Sequence, residues 1–414
     1  MRRTDPSEAE RAAASAPAPP SAEHAGQLLV LCAAMFVAMV GFGVVIPALG
    51  DLALSFGASS TEMGVMTAAY ALAQLVSAPA WGALSDRLGR KPVLVLGLFG
   101  FAASFLVMAR AETFGELLAG RALGGLLSSS ALATAQAFAA DLAGPQRRAV
   151  VMGRLGAATA LGFVVGPLLS VWLHPFGARA PFVFSLVLSL GTGLAAYGLL
   201  RDPPRSTMQA PGPTGSVLRA LGQAAVSSAG AWFWTAFVIM FGASSVFALL
   251  VYFIEEQLGG TALHASLAFA CFGATSVLTQ GVLLGPLSRR LGERRTVRLG
   301  LVVGVLGFLS FGQATDLLQV YLATALVAAA MSLGRPCLAS LLLAETSVGH
   351  GLSLGLQSAF DSLGRVLGPI CAGLLYQLSP RIPFMGAAAV YLVGLACLSL
   401  GPRGGSETGG GAGA

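Results

Sequence analysis

Gly82-Ala83-Leu84-Ser85-Asp86-Arg87-Leu88-Gly89-Arg90-Lys91 gathers charge and glycine between two long apolar stretches of a 414-residue chain that is only 10% charged. Its skeleton returns as Gly285-Pro286-Leu287-Ser288-Arg289-Arg290-Leu291-Gly292, 203 residues later, with six of eight positions identical. Gly166-Pro167 recurs as Gly368-Pro369 at nearly the same spacing. Two separate matches, at separations of 203 and 202 residues, mark an internal duplication. The polar loop marks equivalent joints in the two halves.

Outward from that loop the chain is too apolar for water. With 55% hydrophobic residues and a mean hydropathy of +0.78, it lacks the polar surface a soluble domain needs. Twelve apolar runs, here spans 1 to 12, occupy residues 28–49, 61–83, 92–109, 116–139, 153–173, 181–200, 232–254, 263–284, 296–313, 318–343, 351–378 and 382–400. Each can cross ~30 Å of hydrocarbon as a helix. Barrel strands alternate every second residue over ~10 positions, whereas these runs are apolar on all sides. The predicted fold is therefore all-α and integral to the membrane, with twelve transmembrane helices in two pseudo-symmetric six-helix bundles. The 54 glycines suit it, since small residues let helix backbones approach closely in lipid.

The net charge of +6 is a topology signal: 18 of the 24 Lys and Arg fall on the termini and the even-numbered loops. The opposite side has only Arg110, Arg179 and Arg381, while Arg121, Arg335 and Arg365 lie inside spans. This asymmetry predicts a multi-pass protein of the cytoplasmic membrane with both termini cytoplasmic, and it leaves no case for nucleic-acid binding. All five cysteines lie inside spans without ligand spacing, so neither disulfide nor metal is expected. No nucleophile motif or phosphate loop points to an enzyme or a cofactor. The expected organisation is a cytoplasmic tail without fixed fold at 1–26, a first bundle at 27–200, a cytoplasmic linker at 201–230, a second bundle at 231–401 and a Gly-rich tail at 402–414. Within the linker, residues 215–225 can form a short surface helix. The tail is unlike a short cationic signal region, so span 1 is expected to remain.

The motifs carry a resemblance that covers nearly the whole chain. Gly82 to Lys91 resembles the signature loop between helices 2 and 3 of the major facilitator superfamily, and Arg121-Ala122-Leu123-Gly124-Gly125 its helix 4 arginine motif. Gly153, Gly162, Gly166 and Pro167 resemble the helix 5 antiporter motif, with Ser170-Val171 in place of the closing glycine pair. Together with Gly41-Phe42-Gly43-Val44-Val45-Ile46-Pro47, the chain is most similar to the twelve-helix drug:proton antiporters, the branch of tetracycline and quinolone efflux pumps.

That resemblance implies a conformational latch in Gly82, Asp86, Arg87, Gly89, Arg90 and Lys91, with Asp86 at the start of span 11 and Arg90 paired to Asp141. The second copy of the loop has Arg289 where Asp86 stands and Glu293 where Arg90 stands, so only the first keeps the acid. Topology alone accounts for the arginines but requires no Asp. Arg121 is implied in proton coupling, beside the reading that it anchors helix carbonyls or snorkels. Asp361 and Arg365, four residues apart in span 11, can pair on one face or offer a protonation site in the cavity; Arg335-Pro336 is a further buried cation without an evident counter-ion. Gly162 and Gly166 share a face and admit a neighbouring helix, a packing role the resemblance extends to leak prevention and export.

Span 1 has no acid, and span 7 only Glu255 and Glu256 at its outer end, so a cation-selective cavity is not expected. Candidate lining groups are Phe36, Met39, Phe42, Gln136, Trp234, Phe237, Phe241, Tyr252 and Gln357, with Gln280, which suit a neutral or amphipathic small molecule; for each aromatic, packing is the competing role. The expectation is a monomeric exporter in membrane lipid, taking small amphipathic substrates and exchanging them for protons by rocker-switch alternating access. The alternatives are a facilitator-type importer or uniporter of a small nutrient, and a transport-incompetent sensor or scaffold on the same fold.

Overall fold

The computed structural model describes residues 22–202, 217–227, 229–345 and 350–400. Residues 1–21, 401–414 and most of the linker lie outside the described residues; residues 22–26, expected in the tail, are the first turn of helix Ala22–Ser55, and within the linker Val217–Val226 forms a ten-residue helix. The described residues contain helices and short connections and no strand, as apolar runs without two-residue alternation require.

Eight helices are long and apolar enough to cross a membrane: Gly26–Ser55, Arg90–Arg110, Val151–Phe176, Ala180–Leu199, Gly230–Leu258, Ala262–Leu291, Glu293–Gln313 and Leu317–Ala344. A ninth is bent, Ser60–Ala78 with Ala80–Leu88, and Ile382–Leu398 is apolar but shorter. The remaining two spans are diluted by polar residues, Arg121 and Ser128 to Ser130 in span 4, Asp361 and Arg365 in span 11. These two helices thus carry three of the four internal charges, Arg121, Asp361 and Arg365; the fourth, Arg335, lies in span 10.

Spans 4 and 5 differ from the expected pair of helices with a loop. Phe114–Leu173 is helical throughout its 60 residues, about 90 Å of rise at 1.5 Å per residue. Such a length cannot lie across ~30 Å of hydrocarbon, so it turns back, and Gly144-Pro145 lies in the connecting stretch, where proline withholds an N–H from the ladder.

Helix starts follow local chemistry. Ser59 caps span 2 by accepting from the Glu62 N–H at 3.3 Å, while the Glu62 carboxylate accepts from the Ser59 N–H at 2.7 Å, a reciprocal capping box. Thr113 accepts from the Glu116 N–H at 3.3 Å and starts span 4. Span 8 contains a π-helical turn, Thr279–Leu283, of the kind that often marks functional positions.

Four hydrogen bonds among the described residues join the bundles, all on the face opposite the 82–91 loop. Ser60 and Thr61 hydroxyls donate to the Gly373 carbonyl at 3.0 and 3.3 Å, Gln377 Nε2 donates to Thr61 Oγ1 at 2.8 Å, and Ser266 donates to Ser170 at 3.2 Å. Tyr252 meets Tyr376 edge-on at 5.1 Å on the same side. The central helices match this asymmetry. Residues 43–50 of span 1 are all buried, whereas Leu29 and Ala33 are exposed and Phe36 and Met39 partly so. Span 7 likewise is almost wholly buried over 242–254 but exposed at Trp234 and partly so at Phe237 and Phe241. Among the described residues the bundles are therefore joined on one face and leave a cleft toward the basic face.

Candidate functional site

The internal charges converge on the seam between the bundles. Spans 2 and 11 run antiparallel there: Ser60 meets Gly373, and Gly64 lies against the Pro369 carbonyl. One turn before Pro369 comes Arg365, on the side of span 11 that faces span 2, and one turn before that Asp361. Tyr70 stands within electrostatic reach of Arg365.

Asp361 is 3% exposed and accepts from Arg335 Nη2 at 2.8 Å through Oδ2. Arg335 is thus the counter-ion of Asp361, across spans 10 and 11, and no ion pair within 4.0 Å joins Asp361 to Arg365. The i,i+4 spacing allowed that pair, but a neighbouring helix supplied a cation with better reach. Asp361 Oδ1 and the Nε atoms of Arg335, Arg365 and Arg121 have no hydrogen-bond partner.

Arg121 is 5% exposed and is held by aromatic faces, its guanidinium carbon 4.1 Å from the Tyr70 ring centroid and 5.4 Å from that of Phe42. A Cβ on Gly125 would run into the Tyr70 backbone and one on Gly124 would lie 3.8 Å from its ring, so the glycines of the arginine motif let span 2 bring that ring under the charge. The Tyr70 hydroxyl shares a 2.9 Å hydrogen bond with Ser128. A desolvated cation–π contact of this kind is worth ~2 kcal/mol, which offsets part of the cost of burying the charge.

On the basic face, Arg90 contacts Asp86 at 2.6 Å, Asp141 at 3.0 Å and Ser85 Oγ at 2.9 Å, among the described residues. Charge-assisted bonds to a planar fork of this kind are stronger than neutral ones. Residues 346–349, which lead into span 11, lie outside the described residues. Gly89 has φ +106°, and Asp202, at the start of the linker, accepts from the Lys91 N–H at 2.7 Å, capping span 3 where a negative group is favoured. Lys91 also lies 5.3 Å from the Tyr197 ring centroid. Gly82 has nothing within 4 Å of where a side chain would begin.

The span 5 glycines divide in two. A Cβ on Gly166 would lie 2.8 Å from Gly43 Cα, and one on Gly162 2.5 Å from the Phe36 carbonyl and 2.8 Å from Met39 Cβ, so both seat span 5 on span 1. Gly153 has nothing within 4 Å. Pro167 lies 2.9 Å from a Cβ built on Gly43. Gly364 and Gly368 seat span 11 on Phe237, Phe241 and Ser244 of span 7 in the same manner. Because both bundles use the device, the close packing by itself carries no direction. Ser170, where the motif ends in glycine, bonds to Ser266 of the other bundle.

The candidate lining residues are dispersed. Phe42 is stacked with Phe163 at 6.3 Å, and Phe163 reaches Phe247 and Phe272 of the second bundle at 6.1 and 6.0 Å, so these rings form the floor where the bundles meet. Phe36, Met39, Phe237 and Phe241 are partly buried along the cleft and Gln136 is exposed. Trp234 packs edge-on against Phe360 at 5.3 Å in an apolar depression of about 200 Å³ lined by Gly222, Ala225, Trp234, Ala359, Phe360 and Leu363, all from the linker helix and spans 7 and 11. Gln357 is buried, Tyr252 sits in the sealed face, and Gln280, at the π turn, donates to Ser332 at 3.4 Å. Among the described residues no group of His, Cys, Asp and Glu could hold a metal ion.

Sequence reasoning missed Tyr70 and Asp202. Tyr70 had one signal, a phenol inside an apolar span, whose hydroxyl needs a partner; Asp202 had only its place before Pro203-Pro204.

The model of the Major Facilitator Superfamily matches residues 31–251 and 232–413. The chain is 29% identical to Multidrug resistance protein 2 of Bacillus subtilis over 89% of its own length and 93% of that protein. It is 30% identical to the class C Tetracycline resistance protein of Escherichia coli, over 90% and 96%. Among solved structures it resembles the human organic anion transporter MFSD10, with TM-score 0.68 and 25% identity over 92% of this chain and 100% of that one. It also superimposes on an inward-facing, occupied bacterial homolog of the lysosomal transporter Spinster, with TM-score 0.76 over 90% of this chain and 96% of the other, at 15% identity.

Proposed function

The chain belongs to the Major Facilitator Superfamily of membrane transporters, and on that premise we propose that it exports small amphipathic organic molecules across the cytoplasmic membrane in exchange for protons. The two bundles rock about the central seam, presenting the cleft alternately to the cytoplasm and the exterior. The names of its relatives, multidrug and tetracycline resistance proteins, support outward transport of organic compounds.

One observation carries the reading: Asp361, buried at the seam, is held by Arg335 at 2.8 Å while its second oxygen is unpartnered. Charge inside a membrane protein is costly and marks transport pathways, and a carboxylate with a free oxygen is a group on which a proton can ride. Arg121, over the ring of Tyr70, and Arg365, within its electrostatic reach, complete the coupling set. Asp86, Arg90 and Asp141, with Arg87, Lys91 and the glycines Gly82 and Gly89, act as the latch of the basic face: their contacts within the first bundle hold the loop in the shape that meets span 11 when the cleft closes there.

Proteoliposomes holding the purified protein, given an imposed pH gradient and a panel of amphipathic dyes, test it. Accumulation should follow the gradient in the wild type, and Asp361→Asn should retain downhill exchange while losing the response. Dye movement indifferent to the gradient in the wild type removes the antiport claim.

A further inference from the structure

The interior charges do not balance. Three guanidiniums, Arg121, Arg335 and Arg365, stand well inside the spans against one carboxylate, Asp361. Two of the three are compensated: Arg121 by the faces of Tyr70 and Phe42, and Arg335 by Asp361. Arg365 has only the field of Asp361, which Arg335 already holds at contact distance; among the described residues it makes no hydrogen bond, no ion pair within 4.0 Å and no ring contact, and its Nε is buried without a partner. It is partly buried, faces span 2 across the seam, and shares its neighbourhood with the Asp361–Arg335 pair.

We infer that the transported molecule carries a carboxylate or a comparable anionic group, and that Arg365 is the residue that binds it. A guanidinium is a poor choice for simple packing, because its five donors want acceptors and its charge cannot be shed. An acid group on the substrate supplies both acceptors and charge, in the planar geometry that arginine matches with two parallel bonds. The rings of Phe42, Phe163 and Phe247 lie where the bundles meet and offer the apolar body of such a molecule a surface. Asp361 opposes an anion at Arg365 by like charge and keeps Arg335 occupied. The inference rests on the exporter reading and narrows its substrate; an anion is moreover driven outward by an inside-negative potential, a force that acts beside any proton exchange.

The test is calorimetric binding to the detergent-purified full chain with three probes that share one aromatic body: 2-naphthylacetate, 2-naphthylacetamide and 2-(2-naphthyl)ethylammonium. The acid should bind about tenfold or more tightly than the other two, the scale of a hydrogen-bonded charge. Arg365→Gln should erase that preference. Asp361→Asn should enlarge it, because the acceptor that competes for Arg335 becomes neutral; a merely structural role for either residue predicts weaker binding of all three probes alike. Equal binding of acid and amide, preference for the amine, an acid preference that survives Arg365→Gln, or no binding of any probe would overturn the inference. Acid-selective binding without transport in proteoliposomes defeats the exporter reading alone, and export of the amide and amine but not the acid defeats this inference alone.

Discussion

The guanidinium of Arg121 lies 4.1 Å from the ring centroid of Tyr70, so a charge on span 4 is stabilised by a π face brought to it on span 2. Two substitutions separate the ring from its hydroxyl. Tyr70→Phe gives up the bond to Ser128 and should cost about 1 kcal/mol. Tyr70→Leu also removes the ring beneath the charge and should cost about 2 kcal/mol more, with a lower melting temperature in detergent and a greater loss of transport. Equal damage from both would shift the weight from the ring to the hydroxyl.

Arg90→Lys distinguishes a latch from a topology signal. Lysine keeps the positive charge that fixes orientation but cannot span Asp86, Asp141 and Ser85 as the planar fork does. Insertion and expression should match the wild type while the transport rate falls several-fold, and Asp86→Asn should lower it as well. Wild-type rates in both variants would reduce the loop to a determinant of orientation.

The span 5 glycines should not respond alike. Gly166→Ala drives a methyl to within 2.8 Å of Gly43 Cα, an overpacking expected to cost about 1–3 kcal/mol. Gly153→Ala meets open space and should stabilise the helix by roughly 0.5–1 kcal/mol. Gly368→Ala, pressed against Phe241 and Ser244, should resemble Gly166→Ala. Thermal melts of the three read this ordering directly; a harmful Gly153→Ala would argue for a contact formed only in another conformation.

Hydropathy made the spans legible because lipid demands an internally bonded, apolar helix and little else. The seats at Gly162 and Gly166 were legible for a similar reason, since spacing of four on a helix fixes which residues share a face. The partner of Asp361 was not legible. Arg365 satisfied the local rule, but the choice between Arg335 and Arg365 depends on how span 10 is set against span 11, which no periodicity within either span encodes. Tyr70 was hidden likewise: its ring matters because glycines 55 residues away at Gly125 let span 2 come close. Local chemistry is written along the chain, whereas pairings across helices emerge only from packing.

Alternating access requires the sealed face to open, and the seal is narrow enough to be tied shut. Gln377 Nε2 and Thr61 Oγ1, 2.8 Å apart, join spans 11 and 2 on the face away from the basic loop. With the native cysteines at 32, 271, 337, 371 and 397 replaced, Thr61→Cys together with Gln377→Cys places two thiols within reach of a short bis-thiosulfonate linker. The uncrosslinked double variant should transport, because a single exposed hydrogen bond contributes only ~1 kcal/mol. Linking should stop transport, and reductant should restore it. The cleft on the basic face should meanwhile still admit substrate, so binding measured from that side should survive the crosslink. Continued transport by the linked protein would mean that the bundles need not separate between Thr61 and Gln377, and the rocking motion would have to be abandoned.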